Sequence, residues 1–441
     1  VAVSPELLGV GLLVALLVGI FAGFPIAFTL IILAVVFGWI GFGPVVFHLM
    51  VFQTMAMMKE EVLAAVPLFI FMGHILESAG LMERLFTSFR FILAPLRGSL
   101  YLGVLFTATI FATATGIVGA SVTVMGMMAG GPMMRAGYDP RLSAGVITAG
   151  GCLGILIPPS VMLVVLGPVL GVSVISLFAA AIVPGLVLST LYAAYALLRS
   201  HLRPELGPPL PAAERAASYG QIAREFVGGI VPLATIIFAA LGSIIAGLAT
   251  PTEAAAMGAI GATVLTACYG RLSPATLRDA TRRTLETSSM VLFLAVASNV
   301  YGAVFTRLGT STVIANGLLA LPIPPMALMA LLMAVIFLLG WPLEWPAIVL
   351  IFLPIFLPVV QALKFDLVWF GTLVAVNLQT AYLSPPVAMA AYYLKAVAPH
   401  WELKDIYRGM AEFMLLQVVG LAIVFVFPEV ALWLPRRLTG Q

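Results

Sequence analysis

Charge is scarce in this chain. Its 441 residues include only 21 Lys or Arg and 18 Asp or Glu, together 9% of the sequence. Soluble domains carry about 25% charged residues, so a water-facing surface over this length is excluded. Cysteine is almost absent. The two present, Cys152 and Cys268, lie in apolar stretches, which argues against a disulfide framework or a cysteine metal site. Histidine numbers four. His74 and Glu77 share a helix face, but with no third ligand in view they read as buried polar packing. The net charge is +3 and no basic run is interleaved with aromatics, so nucleic-acid binding is not indicated. A phosphate-cradling GxxxxGK[ST] run is missing too, which agrees with work driven by ions.

Apolar residues fill the space: 62% of the chain is hydrophobic and the mean hydropathy is +1.15. That is enough for roughly a dozen membrane segments of about 20 residues. "LLGVGLLVALLVGI" has no charged segment before it and no small-residue cleavage pattern after it, and reads as a retained first helix. One long polar stretch, Arg199–Glu225, is rich in proline and charge and reads as a linker between two halves.

The halves echo each other. "GILIPPSVM" (154–162) and "AYLSPPVAM" (381–389) share a Pro-Pro and the following Met at a common offset. Asp139 in "GYDPRL" and Asp366 in "KFDLVW" stand equally far ahead of those prolines. "MGHILESAGL" (72–81) pairs with "YGAVFTRLGT" (301–310) through its glycines, and Gly19 and Pro25 pair with Gly247 and Pro251 if one residue slips. Weak self-similarity in consistent order is how transporter repeats look in sequence.

Segment lengths predict spans near 5–22, 25–47 and 62–80, then two shorter pieces, 99–114 and 117–134, separated by "TATGIVGAS". At 1.5 Å per residue such a piece reaches about 24 Å, short of a hydrocarbon core of about 30 Å. The pair therefore reads as a re-entrant hairpin. A broken helix (142–171) and a span (175–198) follow, giving an odd number of crossings, so the second copy must be inverted. The predicted fold is an all-α polytopic membrane protein with two inverted-topology repeats, each holding a re-entrant helical hairpin and a Pro-Pro broken helix. The first repeat is 1–198, with scaffold helices 5–47, an arm 48–98, hairpin 99–134 and broken helix 142–171. A cytoplasmic linker covers 199–225. The second repeat is 226–441, with scaffold 227–270, arm 271–322, hairpin 326–361 and broken helix 367–397. An N-terminus outside puts most of the 21 Lys and Arg inside, leaving Lys59, Arg307, Lys364, Arg436 and Arg437 outside, and the terminal Arg436–Arg437 pair argues the other way.

Prolines remove backbone donors and clash with the preceding turn, so carbonyls upstream of Pro158 and Pro159 lose their partners. In lipid such backbone survives only where it lines a site. Freed carbonyl oxygens are hard ligands suited to a small cation. The candidate cages are 113–121 with 150–160, and 339–345 with 377–386, flanking one substrate. Thr115, Ser121, Ser160, Asn377, Thr380 and Ser384 lie near the breaks, where they satisfy freed backbone groups, contact ligand, or do both. Glu344 is the only acid at either hairpin tip. Three readings of it stay open: a proton-coupling group, a substrate contact, and a surface-facing tip carboxylate. Thr250, Pro251 and Glu253 read as a helix start with a capping box. An integral membrane enzyme would need a polar cluster at membrane depth, which these residues do not supply. A channel fits less well than a carrier, because paired hairpins suit occlusion.

"GLATPTEAAAMGA", "GGCLGILIPPS", "PIFLPV" and "YLSPPVAMAAYYLK" together resemble the large membrane subunit (DctM-like) of tripartite ATP-independent periplasmic (TRAP) transporters, over essentially the whole chain. The resemblance implies a non-enzymatic, elevator-type secondary transporter of the bacterial inner membrane, driven by Na+ and carrying a small organic acid. The partners it implies are a small four-helix membrane subunit and a periplasmic substrate-binding protein. Carried onto this sequence, the first Na+ cage uses Thr113, Thr115, Gly154, Ile157 and Pro159, and the second Gly340, Asn377, Thr380 and Ser384. Cargo contacts fall to Thr115, Ser121, Ser160, Glu344 and Ser384. Residues 47–62 would form an interfacial arm. The first hairpin tip, "GIVGASV", is mostly apolar, which argues against a highly polar cargo.

Overall fold

The computed structural model describes residues 4–210, 219–385 and 388–439, apart from the side chains of 112–115, 219, 221 and 439. The described residues are helical throughout, with no strand among them. Chain order gives α1 (Pro5–Phe21), α2 (Ile26–Phe42), α3 (Val45–Met58), α4 (Ala65–Ser78), α5 (Leu81–Ile92), α6 (Ser99–Thr115), α7 (Val118–Arg135), α8 (Pro140–Cys152), α9 (Val161–Leu170) and α10 (Val174–Leu202). Then come α11 (Tyr219–Ile245), α12 (Pro251–Cys268), α13 (Pro274–Arg307), α14 (Thr310–Leu319), α15 (Pro325–Leu339), α16 (Trp345–Ala347) and α17 (Leu353–Ala362). The last are α18 (Leu367–Leu378), α19 (Thr380–Leu383), α20 (Met389–Val397), α21 (Leu403–Val426) and α22 (Glu429–Thr439).

Among the described residues six stretches are long and apolar enough to cross a bilayer, α10, α13 and α21 included, and shorter apolar helices add to these. The oily face points outward. Leu7, Val10, Val14, Val18 and Phe21 form an exposed stripe on α1, while Leu12 and Leu16 behind it are fully buried. Exposed aliphatic and aromatic side chains in helical register suit lipid as the surrounding solvent.

Packing sorts the helices into two groups. In one, α4 lies along α12, α5 along α11, and α13 against α2, α3 and α4. In the other, α8 lies along α21 and is flanked by α6 and α7, while α10 packs on α6, α18, α21 and α22. The groups meet chiefly where α4 and α5 touch α6 and where α14 touches α17.

Several motif pairs share local geometry. Asp139 and Asp366 both cap helices, α8 and α18, from extended backbone at φ −63° and −64°. Each side chain accepts a first-turn N–H, at 2.8 Å from Leu142 and 2.8 Å from Val368. Gly80 and Gly309 both take the left-handed conformation between a longer helix and a short one. The pairing of Gly19 with Gly247 is corrected. Gly23 is the residue that turns the chain at positive φ after α1, as Gly247 does after α11. The N–H of Gly23 bonds Ile20 O and that of Gly247 bonds Ile244 O. The slip that sequence alignment absorbed is a real difference in loop length before α2 and α12. At α12 the Thr250–Glu253 capping box forms as read, with Thr250 N–H donating to Glu253 Oε2 at 2.8 Å.

The linker is shorter than 199–225. Helix α10 runs on to Leu202 and α11 begins at Tyr219. Its polar last turn is stabilised from outside by Glu412 of α21, which pairs with Arg199 at 3.3 Å and accepts from Tyr195 Oη at 2.6 Å. Beyond it the chain is tied down. Leu206 O accepts from Tyr101 Oη and from Asp139 N, and Gly207 O accepts from Gly98 N.

Candidate functional site

Two helical hairpins and two helix breaks converge. The first hairpin is α6 and α7, turned at Gly116, whose φ of +62° is one that only glycine adopts cheaply. The second is α15 with α16–α17, whose return leg opens through a π turn at Ile348–Phe352. Between α8 and α9 the chain makes a tight turn at Leu153–Ile155 and passes through Pro158 and Pro159. The available N–H groups of Leu156 and Ile157 both go to Leu153 O, and the Ser160 hydroxyl donates to Ile155 O. Tip and break are close: a side chain at Gly116 would stand 3.5 Å from Val161 N and 4.0 Å from Gly154 O.

The second break is more polar. Asn377, in the last turn of α18, donates through Nδ2 to Met333 O of the facing hairpin at 2.7 Å. Thr380 Oγ1 donates to Asn377 O at 2.6 Å and Ser384 Oγ to Thr380 O at 2.7 Å. Gln417 of α21 donates to Gln379 Oε1 at 3.0 Å. After these bonds Asn377 Oδ1 is buried with no partner among the described residues. Gly340 brings the hairpin end against the break, since a side chain there would meet Ala381 Cβ at 3.0 Å.

A cavity of about 140 Å³ sits where the four elements meet. Tip one supplies Gly116–Gly119, the first break Ile155 and Val161, tip two Glu344–Pro346, and the second break Tyr382 and Tyr393. The remaining wall belongs to the other helix group, with Ile70 on α4 and Thr287, Met290 and Val291 on α13. A second cavity of about 150 Å³ lies behind tip two, lined by the run Gly340–Glu344 with Ala381, Tyr382 and Met389. A larger void of about 660 Å³ borders α13 farther along, at Ala295, Ser298 and Gly302, but takes nothing from the two tips. The converging residues make the smaller cavity the candidate site.

Of the residues expected to touch cargo, Glu344 lines that cavity. Ser160 and Ser384 do not; their hydroxyls are spent on the carbonyls of their own breaks. Ser121 is buried one turn into α7. Thr113 and Thr115 lie in the last turn of α6, with side chains outside the described residues. Gly154, Ile157 and Pro159 lie within the first break. Gly340, Asn377, Thr380 and Ser384 surround the second. Composition-led reading passed over Tyr382, Tyr393, Trp345 and Gln417. The tyrosines flank the second Pro-Pro in sequence, which is the signal that could have found them. His74 and Glu77 stay apart at 3.6 Å, and Glu77 also reaches Arg283 at 4.0 Å, an ion-pair arrangement within the α4–α13 contact.

Hairpins and broken helices meeting at one cavity inside a polytopic bundle define a membrane transport protein. A solved structure shares the fold: that of the Alcanivorax borkumensis YdaH transporter, described as having an unusual topology, superimposes with a TM-score of 0.64 at 16% identity, covering 86% of this chain and 87% of that one. The family model for the DctM component of the tripartite ATP-independent periplasmic transporter matches residues 13–430, and the chain belongs to that family. It is a permease and not an enzyme. Similar proteins include the sialic acid TRAP transporter large permease SiaM of Vibrio cholerae, 29% identical over 426 residues (96% of this chain, 97% of the relative). The C4-dicarboxylate TRAP transporter large permease DctM of Pseudomonas aeruginosa is 30% identical over 387 residues (86% and 87%). The 2,3-diketo-L-gulonate permease YiaN of Escherichia coli is 29% identical over 433 residues (96% and 97%).

Proposed function

We propose that this permease takes up a small organic acid across the bacterial inner membrane by Na+-coupled secondary transport, with the helix group around α8 and α21 moving as an elevator against the group around α4, α12 and α13. The observation that carries this reading is the shared cavity: both tips and both breaks supply one side, and α4 and α13 supply the other. A cargo held there touches both bodies, so relative motion of the bodies changes its access. The similarity to permeases named for sialic acid, C4-dicarboxylates and diketogulonate supports an acidic cargo. Membership in the family supports a small membrane subunit and a periplasmic binding protein as partners.

The second break fits a hard cation. Asn377 Oδ1 is buried and unpartnered among the described residues, and a buried amide oxygen costs about 1–3 kcal/mol unless something satisfies it. A bound Na+ would supply the positive charge that lets an anion enter a dry cavity. Asn377, Thr380 and the backbone at Gly340 would hold it; Gly154, Ile157 and the α6 end would form the first cage. Glu344 supports a second reading, proton coupling, because among the described residues it is the only carboxylate bordering either small cavity.

Uptake into proteoliposomes holding the permease, its small subunit and the binding protein separates the two. Accumulation that follows an imposed Na+ gradient and is lost in Asn377→Ala/Thr380→Ala supports the Na+ reading. Uptake indifferent to Na+, driven by a pH gradient and abolished by Glu344→Gln, would replace it with proton coupling.

A further inference from the structure

We infer that the cargo of the central cavity is a compact monocarboxylate with an apolar body, and that Glu344 enforces the single charge. This rests on the two-cation transport reading above and narrows it. Around the 140 Å³ cavity the walls are mostly rings and aliphatic groups, Trp345, Ile155, Val161 and Met290 among them, with Thr287, Tyr382 and Tyr393 as the uncharged hydroxyl-bearing side chains. Apolar cavities of about 150 Å³ admit a benzene-sized body. A polyhydroxylated chain would lose its water there and find few hydrogen-bonding side chains in exchange.

Charge gives the second constraint. Among the described residues no Lys, Arg or His lines this cavity or the one behind tip two. The only formal charge is Glu344, and it borders both. It is exposed to them, whereas its neighbours Leu343 and Trp345 are buried. Two cations, one per cage, would be offset by Glu344 and one cargo carboxylate. A second cargo carboxylate would sit uncompensated beside Glu344 in a site with little water, where like charges repel most.

Calorimetric binding to the purified permease with its small subunit, in sodium chloride and in choline chloride, tests this with cyclohexanecarboxylate, succinate and gluconate as probes. In sodium, cyclohexanecarboxylate is expected to bind about tenfold tighter than either other acid. Glu344→Gln should raise succinate affinity about tenfold relative to cyclohexanecarboxylate. Met290→Lys adds a cation from α13 at a half-exposed position and should shift the ratio the same way. Succinate or gluconate binding as tightly as cyclohexanecarboxylate in the unmodified protein overturns the inference, as does absence of binding by all three. An unchanged ratio in both variants also overturns it. If the preference holds but is the same in choline, the sodium reading fails instead.

Discussion

Ahead of Pro158 the broken helix is pressed on its neighbours through glycines along α8, whereas ahead of Pro385 it is tied to them through amides. A side chain at Gly409 of α21 would meet Arg141 O of α8 at 1.9 Å, and one at Gly145 would meet Gly409 O at 2.7 Å. Gly151 repeats the pattern against Val122 N at 3.0 Å. The other break reaches the same helix α21 through Gln417, which donates to Gln379 Oε1 and, at 3.4 Å, to Val376 O. Lipid supplies no hydrophobic drive between helices, so association rests on close backbone approach or on polar bonds. Helix α21 uses the first device against α8, at Gly409, and the second against the Pro385 break, at Gln417. Glycine contact is rigid and brings backbone against backbone. Among the described residues the amides leave three atoms without a partner, Gln379 Nε2, Gln417 Oε1 and Asn377 Oδ1, and the oxygen of Asn377, beside the break, fits the assignment of the more side-chain-rich cation cage to the second break.

The largest expected effect comes from breaking the glycine contact. Gly409→Val places a branched side chain where a carbonyl stands, with backbone on both sides and no flexible group to yield. Overpacking costs about 1–3 kcal/mol and more where nothing moves, so we expect little folded protein by fluorescence-detected size exclusion. Gly302→Ala on α13, with open space around it, should fold normally. Equal behaviour of the two would show that the α8–α21 crossing is not close-packed.

A smaller effect sharpens the amide half. Gln417→Leu should cost about 1–2 kcal/mol in thermal or denaturant unfolding, because Gln379 Oε1 loses its donor in a buried place. Replacing both by Leu removes both polar groups and should recover most of that loss. A double-mutant cycle with no coupling would mean that the two amides do not depend on each other.

Much of this arrangement was legible in the sequence because proline, glycine and aspartate act locally. Asp139 and Asp366 cap helices wherever those helices go, and Pro158 breaks its helix without help from neighbours. The breaks and hairpin tips were therefore visible as residues. What they face was not. Ser160 and Ser384 look like ligands in a line of text, but each has a carbonyl within its own turn to bond. Tyr382, Tyr393 and Met290 look like core, yet they border the cavity because helices from both groups meet there. The length of α10 was misjudged for a related reason: Arg199 reads as a solvent-facing stop, but its partner Glu412 lies on a distant helix.

The smallest expected effect tests the same comparison at a corner. Gly137 and Lys364 each stand two residues ahead of the capping aspartate, at φ +76° and +57°. The left-handed conformation costs an L side chain roughly 1–2 kcal/mol and glycine almost nothing. One corner is thus relaxed and the other strained, on otherwise matching turns. Lys364→Gly should raise the unfolding midpoint by an amount equivalent to under about 1 kcal/mol, since glycine returns part of the gain as unfolded-chain entropy. Gly137→Lys should lower it by about 1–2 kcal/mol. Opposite signs would confirm that both corners are fixed by the shared helix-start geometry. A midpoint lowered by Lys364→Gly would mean that the lysine side chain contributes a contact its partner corner lacks, and the likeness of the two turns would end at the backbone.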